Sequence, residues 1–100
     1  MSYSINRGVT STIAVSGTAV VVVPAAPNGG VITNPYLASD QGLVTAEVLY
    51  VNPVGLATLT ANNTTFALQP GQSWQVIPGQ TTQTTVNAPT GGHAFSVIWW

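Results

Sequence analysis

Apolar and polar residues exchange places along this chain with a short period. In "LATLTANNTTFALQ", residues 56–69, an extended backbone puts Leu56, Thr58 and Thr60 on one side and Ala57, Leu59 and Ala61 on the other, with Asn62 and Asn63 as the polar break. That segment reads as a hairpin. The same signals predict strands over Ser11–Val15, Thr18–Val23, Gly30–Asn34, Leu43–Val51, Leu56–Ala61, Thr64–Gln69, Ser73–Ile77, Thr81–Asn87 and His93–Trp100. The breaks between them, such as "PAAPNGG", "NPVG", "QPGQ" and "APTGG", carry recognised turn chemistry. Val and Thr occur 14 times each, and both are β-branched types that fit pleated strands. No helix longer than two turns is expected. The pattern implies an all-β fold: a single β-sandwich or jelly-roll-like domain of about eight short, mostly antiparallel strands spanning residues 11–100. Residues 1–10 have weak periodicity and read as an N-terminal arm that reaches a neighbouring subunit.

Three stretches sharpen this picture. Pro70-Gly71-Gln72 and Pro78-Gly79-Gln80 bracket a short strand and read as successive tight turns, not as a solenoid repeat. "QTTQTTVN" would show Thr and Gln on both faces, as an edge strand or a strand facing a hydrated interface. "HAFSVIWW" carries two adjacent tryptophans that something must cover. Alternation places His93, Phe95, Val97 and Trp99 on one face and Ala94, Ser96, Ile98 and Trp100 on the other. The first row is the more apolar, so Phe95, Val97 and Trp99 are core candidates, joined by Phe66 and Val48. Ala94 and Ser96 are small enough for close approach by a neighbour, which makes them and Trp100 interface candidates.

Charge changes the picture most. Arg7, Asp40 and Glu47 are the only charged side chains, 3% of the chain against about 25% in an ordinary soluble domain. With a formal net charge of −1, little repulsion keeps copies apart. Self-association is therefore expected. One arginine cannot neutralise a tract of phosphates, which argues against nucleic acid as a partner. No apolar run approaches the roughly 20 residues of a membrane helix, so no membrane association is expected. The run "TIAVSGTAVVVVPAA" imitates a signal peptide, but Gly17 and Thr18 split it. Cysteine is absent, which excludes disulfides and thiolate metal sites.

Candidate chemistry is sparse. His93 is the only histidine, and a triad would need Asp40 or Glu47 to orient it beside a serine. The simpler reading is a residue that follows Gly91-Gly92 at a strand start and bonds to backbone. One histidine and two carboxylates have no metal-ligand spacing, and a phosphate loop needs the lysine this chain lacks. Glu47 lies among apolar residues in "LVTAEVLYV", where a charge either faces solvent or is paired. Arg7 is the only arginine or lysine available to it, within or between chains, so Glu47 and Arg7 join the interface candidates. Trp74, Trp99, Trp100, Tyr3, Tyr36 and Tyr50 could form a sugar-stacking platform, although in a sandwich such residues more often fill the core or an interface. No cofactor and no enzymatic activity are expected.

The final third, "LQPGQSWQVIPGQTTQTTVNAPTGGHAFSVIWW", resembles the C-terminal parts of small all-β virion proteins of tailed bacteriophages, of the head decoration or cement type. The likeness lies in the Pro70–Ser73 and Ile77–Thr81 turns, the Ala88–His93 segment and the aromatic last strand. The resemblance implies a capsid decoration protein of the virion, assembled in the host cytoplasm. It also implies partners among phage capsid or other virion proteins, often as a symmetric homo-oligomer. The alternative is a carbohydrate-binding β-module of a phage fibre or tail, which exposed, coplanar Trp74 and Tyr side chains would favour.

Overall fold

The computed structural model describes residues 10–13, 17–35 and 47–100, the first of these segments by its backbone. Among them are eight strands and no helix. They are β1 (Thr10–Ile13), β2 (Val20–Val23), β3 (Gly30–Thr33), β4 (Leu49–Asn52), β5 (Phe66–Leu68), β6 (Ser73–Gln75), β7 (Thr84–Asn87) and β8 (His93–Trp99). Two four-stranded sheets form, in the orders β1-β8-β3-β6 and β2-β7-β4-β5, and every pairing is antiparallel. The contacts β1·β8, β2·β7, β3·β6 and β4·β5 are those of one long hairpin with its apex between β4 and β5. Rolled up, that hairpin closes as two sheets, which is the jelly-roll arrangement.

The core lies between the sheets. Val23, Leu49, Val51, Leu68 and Val86 come from one, and Ile32, Phe95 and Val97 from the other. The alternation in β8 holds from Phe95 onward: Phe95 and Val97 are buried, Ser96 is half-buried and Ile98 is exposed, while at its start Ala94 is buried as fully as His93. Trp99 is half-buried and packs against the core, as do Phe66 and Trp74. The last two are stacked at a tilt, with ring centroids 5.2 Å apart, and close the gap between edge strands β5 and β6. Both Pro-Gly-Gln segments are β-turns of one kind. Gln72 N–H donates to Gln69 O and Gln80 N–H to Ile77 O, with Gly71 at φ 89° and Gly79 at φ 73°. Pro precedes Gly in each, so the positive φ falls on the residue without a Cβ, as a type II turn requires.

Two expectations are corrected. Leu56–Ala61 is not a strand, and the hairpin read over residues 56–69 does not form. Instead the β4–β5 connection lies as a strap across the outer face of its own sheet. Ala57 N–H donates to Thr85 Oγ1 (2.8 Å), Thr85 Oγ1 donates to Gly55 O (2.8 Å), and Asn87 Nδ2 donates to Ala57 O (2.9 Å). Side chains of β7 thus satisfy the strap backbone, and a second ladder is unnecessary. Asn62 does turn the chain, but as a side-chain cap: its Oδ1 accepts from Thr64 N and Thr65 N. The second correction follows from the first. β7 is neither an edge nor a hydrated strand; it lies between β2 and β4, with Thr84 turned to the core side and Thr85 covered by the strap.

Candidate functional site

The sandwich has two unlike ends. β8 runs from His93 at one end to Trp99 at the other, and antiparallel pairing sorts every connection between them. The β5–β6 and β7–β8 turns and the residues either side of the β3–β4 link meet at the His93 end. The β2–β3, β4–β5 and β6–β7 connections meet at the Trp100 end.

At the His93 end the imidazole is fully buried. Its Nε2 lies 2.8 Å from Asn34 Oδ1. Asn34 Nδ2 donates both hydrogens, to Glu47 O (2.9 Å) and Leu68 O (2.8 Å), so its Oδ1 must accept and His93 Nε2 must carry a proton. The expectation of a backbone partner for His93 is therefore corrected. Asn34 also donates its backbone N–H to Gln72 O and accepts from Gly71 N–H, which ties the β5–β6 turn to the same point. Thr90 Oγ1 donates to Glu47 Oε1 (2.9 Å), linking the β7–β8 turn to the start of β4. Burial lowers the His93 pKa below its ordinary value, and the Glu47 charge opposes that shift in part. Burial therefore favours the neutral ring. Through Nε2 this histidine ties the start of β8 to Asn34, which in turn holds Glu47 O, Leu68 O and the β5–β6 turn, while its Nδ1 is buried without a partner.

The Trp100 end presents an open groove of about 360 Å³. The strap supplies Val54, Gly55 and Leu56 to it; the β6–β7 connection supplies Thr81, Thr82 and Gln83, with Ala25 and Thr85 completing the lining. Leu56 is 71% exposed, Ile77 54% and Val54 53%, the three largest exposures among the large apolar side chains described. These loops are nonetheless firmly bonded. Thr82 Oγ1 donates to Pro53 O (2.5 Å), Gln80 Nε2 donates to Thr84 Oγ1 (2.6 Å), Gly79 N–H to Pro27 O (2.6 Å) and Ala26 N–H to Gln80 O (2.7 Å). Ala26, beside the groove, sits at φ 57°, a left-handed conformation that costs a residue with a Cβ about 1–2 kcal/mol.

The side chains proposed from the sequence separate accordingly. Trp100 is not frayed: its N–H donates to Gly29 O, its carbonyl accepts from Asn28 N–H, and its ring lies so close to Gly29 that a Cβ there would meet Trp100 Cζ2 at 2.8 Å. The indole remains 37% exposed. Ala94, expected at an interface, is completely buried within the chain, and Ser96 is half-buried. Glu47 and Val48 are half-buried at the His93 end, and Val48 is outside the core cluster. Arg7, Asp40, Tyr3 and Tyr36 lie outside the described residues, and with them any contact between Arg7 and Glu47; so does the expected arm over residues 1–10, except for Thr10, which opens β1. Trp74 is turned toward Phe66 and the core, and Tyr50 is half-buried.

Sequence reasoning missed Asn34, Leu56 and Ile77. The pattern places all three at the ends of predicted strands, Gly30–Asn34, Leu56–Ala61 and Ser73–Ile77, where nothing marks them out. "NPVGL" holds a clue: Leu56 directly follows the turn residues Pro53 and Gly55, where the chain leaves β4. No protein-family model matches this chain, and no curated protein or solved structure matches it.

Proposed function

We propose that this chain is a non-enzymatic structural protein of a phage particle, a decoration or cement protein that binds the capsid shell. The observation that carries the reading is the Trp100 end: a hydrogen-bonded set of loops that holds Leu56, Val54 and Ile77 out in solvent on an almost uncharged sandwich. Rigidly held apolar groups lose little entropy on docking and gain by leaving water. The jelly roll supports the reading by analogy, because the architecture recurs in viral capsid domains, though also in lectins and cupins. The mechanism is shape complementarity across subunit junctions, with apolar burial resisting separation of the shell. The carbohydrate module draws no support from Trp74, whose ring is turned inward.

The test is location. Particles banded on a density gradient from cells expressing the chain should carry it on the head, visible by immunogold and present by mass spectrometry in constant ratio to the shell protein. A chain found only in the soluble fraction overturns the reading.

A further inference from the structure

We propose that the Trp100 end is a self-association surface, on which Leu56 of each copy enters the groove of the other about a two-fold axis. This deepens the structural-protein reading by naming the surface through which the oligomer forms; it rests on that reading for its purpose and not for its geometry.

Knob and hole are neighbours on one face. Leu56 stands at the rim of the groove that it helps to line, with most of its side chain in water. The β6–β7 connection lends the groove Thr81, Thr82 and Gln83, which offer uncharged polar groups and methyls. A protrusion and a cavity adjacent on the same surface satisfy each other reciprocally when two copies meet face to face, which closes the pair and leaves no open chain. A knob far from its hole would build filaments.

Charge selects the occupant. Glu47 is the only charged side chain among the described residues, and it belongs to the opposite end. A partner that brought a charge to this surface would bury it without a counter-charge, which is strongly unfavourable. Two copies of this surface bring no charged side chain from the described residues, so none is buried unpaired and none meets its like. The crest is also preorganised: Thr85 Oγ1 bonds to the strap on both sides of Leu56, at Gly55 O and Ala57 N. The left-handed Ala26 beside the groove is strain retained where the shape matters.

The absence of native cysteine makes the test clean. In sedimentation equilibrium the wild-type chain should dimerise, Leu56→Asp should weaken the dimer at least tenfold at unchanged melting temperature, and Gln69→Asp at the His93 end should leave it unchanged. A short bismaleimide should link Leu56→Cys chains into dimers and should not link Gln69→Cys chains. A monomeric wild type, or a Leu56→Asp variant that associates as tightly as wild type, overturns the proposal. The two readings fail separately. Association through Leu56 in a chain absent from particles defeats the virion role alone; a particle-bound chain whose Leu56→Asp variant still dimerises defeats this surface alone.

Discussion

The two ends of the sandwich solve opposite problems with the same uncharged side chains. At the His93 end, polar groups are taken out of water and most find partners inside the chain: one asparagine serves Glu47 O, Leu68 O, His93 Nε2 and the β5–β6 turn, while His93 Nδ1 and Glu47 Oε2 are left without one. At the Trp100 end, aliphatic side chains remain in water although the loops that carry them are bonded to one another. Exposure there is held in place by hydrogen bonds and is not a result of fraying. The contrast teaches that tightness of the backbone and burial of the side chains are separate properties, and that the first without the second marks a surface awaiting a partner.

If the His93 end is the internal clamp, its loss should be the costlier. Asn34→Ala strands two buried polar groups, Leu68 O and His93 Nε2, and a part-buried one, Glu47 O; at about 1–3 kcal/mol each, stability in urea should fall by about 4 kcal/mol, allowing for non-additivity. Leu56→Ala should change it by less than about 0.5 kcal/mol, as for other exposed positions. Equal losses would erase the distinction between the ends.

Trp99 and Trp100 repeat the comparison at neighbouring residues. Trp99→Ala opens space beside the core and should cost about 3 kcal/mol, near the lower bound for buried tryptophan because the ring is half-buried. Trp100→Ala removes a ring that covers Gly29, and should cost about 1 kcal/mol while weakening self-association. Melting curves and sedimentation on the two variants separate the roles.

Acid should loosen the clamp selectively. Because burial lowers the folded-state pKa of His93 below the unfolded 6.5, the unfolded chain binds more protons between those two values. Stability from this group is complete above pH 6.5 and is lost as pH falls toward the folded pKa. The melting temperature should drop from pH 7.5 to pH 5, and His93→Gln should flatten that slope. An unchanged slope in the variant would exonerate the histidine. The smallest effect is a gain: Ala26→Gly relieves left-handed strain of about 1–2 kcal/mol against a glycine entropy cost of about 0.5–1, for a net stabilisation of about 0.5–1 kcal/mol.

The all-β fold was legible because β-branched residues and turn signals agree from Gly30 onward, and β3, β6, β7 and β8 each fall within a segment predicted from the pattern. What misled was alternation without a sheet. Leu56–Ala61 alternates, but its backbone is bonded by Thr85 and Asn87 side chains some 30 residues away, and period alone cannot distinguish a ladder partner from a side-chain partner. Polar "TTQTT" misled for the complementary reason: Thr85 is buried because the strap supplies the acceptor its hydroxyl needs. The His93 centre was half legible. The lone histidine drew notice, whereas Asn34, 59 residues before it, could be joined to it only by the β3–β8 pairing.

Amide hydrogen exchange at low and high protein concentration addresses the contrast between the ends most directly. Amides of Val54–Ala57 and Ile77–Gln80 should gain protection as concentration rises, while those of Asn34, Leu68 and His93 should be equally slow at both. New protection confined to the Thr90–Gly92 turn, or none anywhere, would contradict the assignment of the Trp100 end as the surface of assembly.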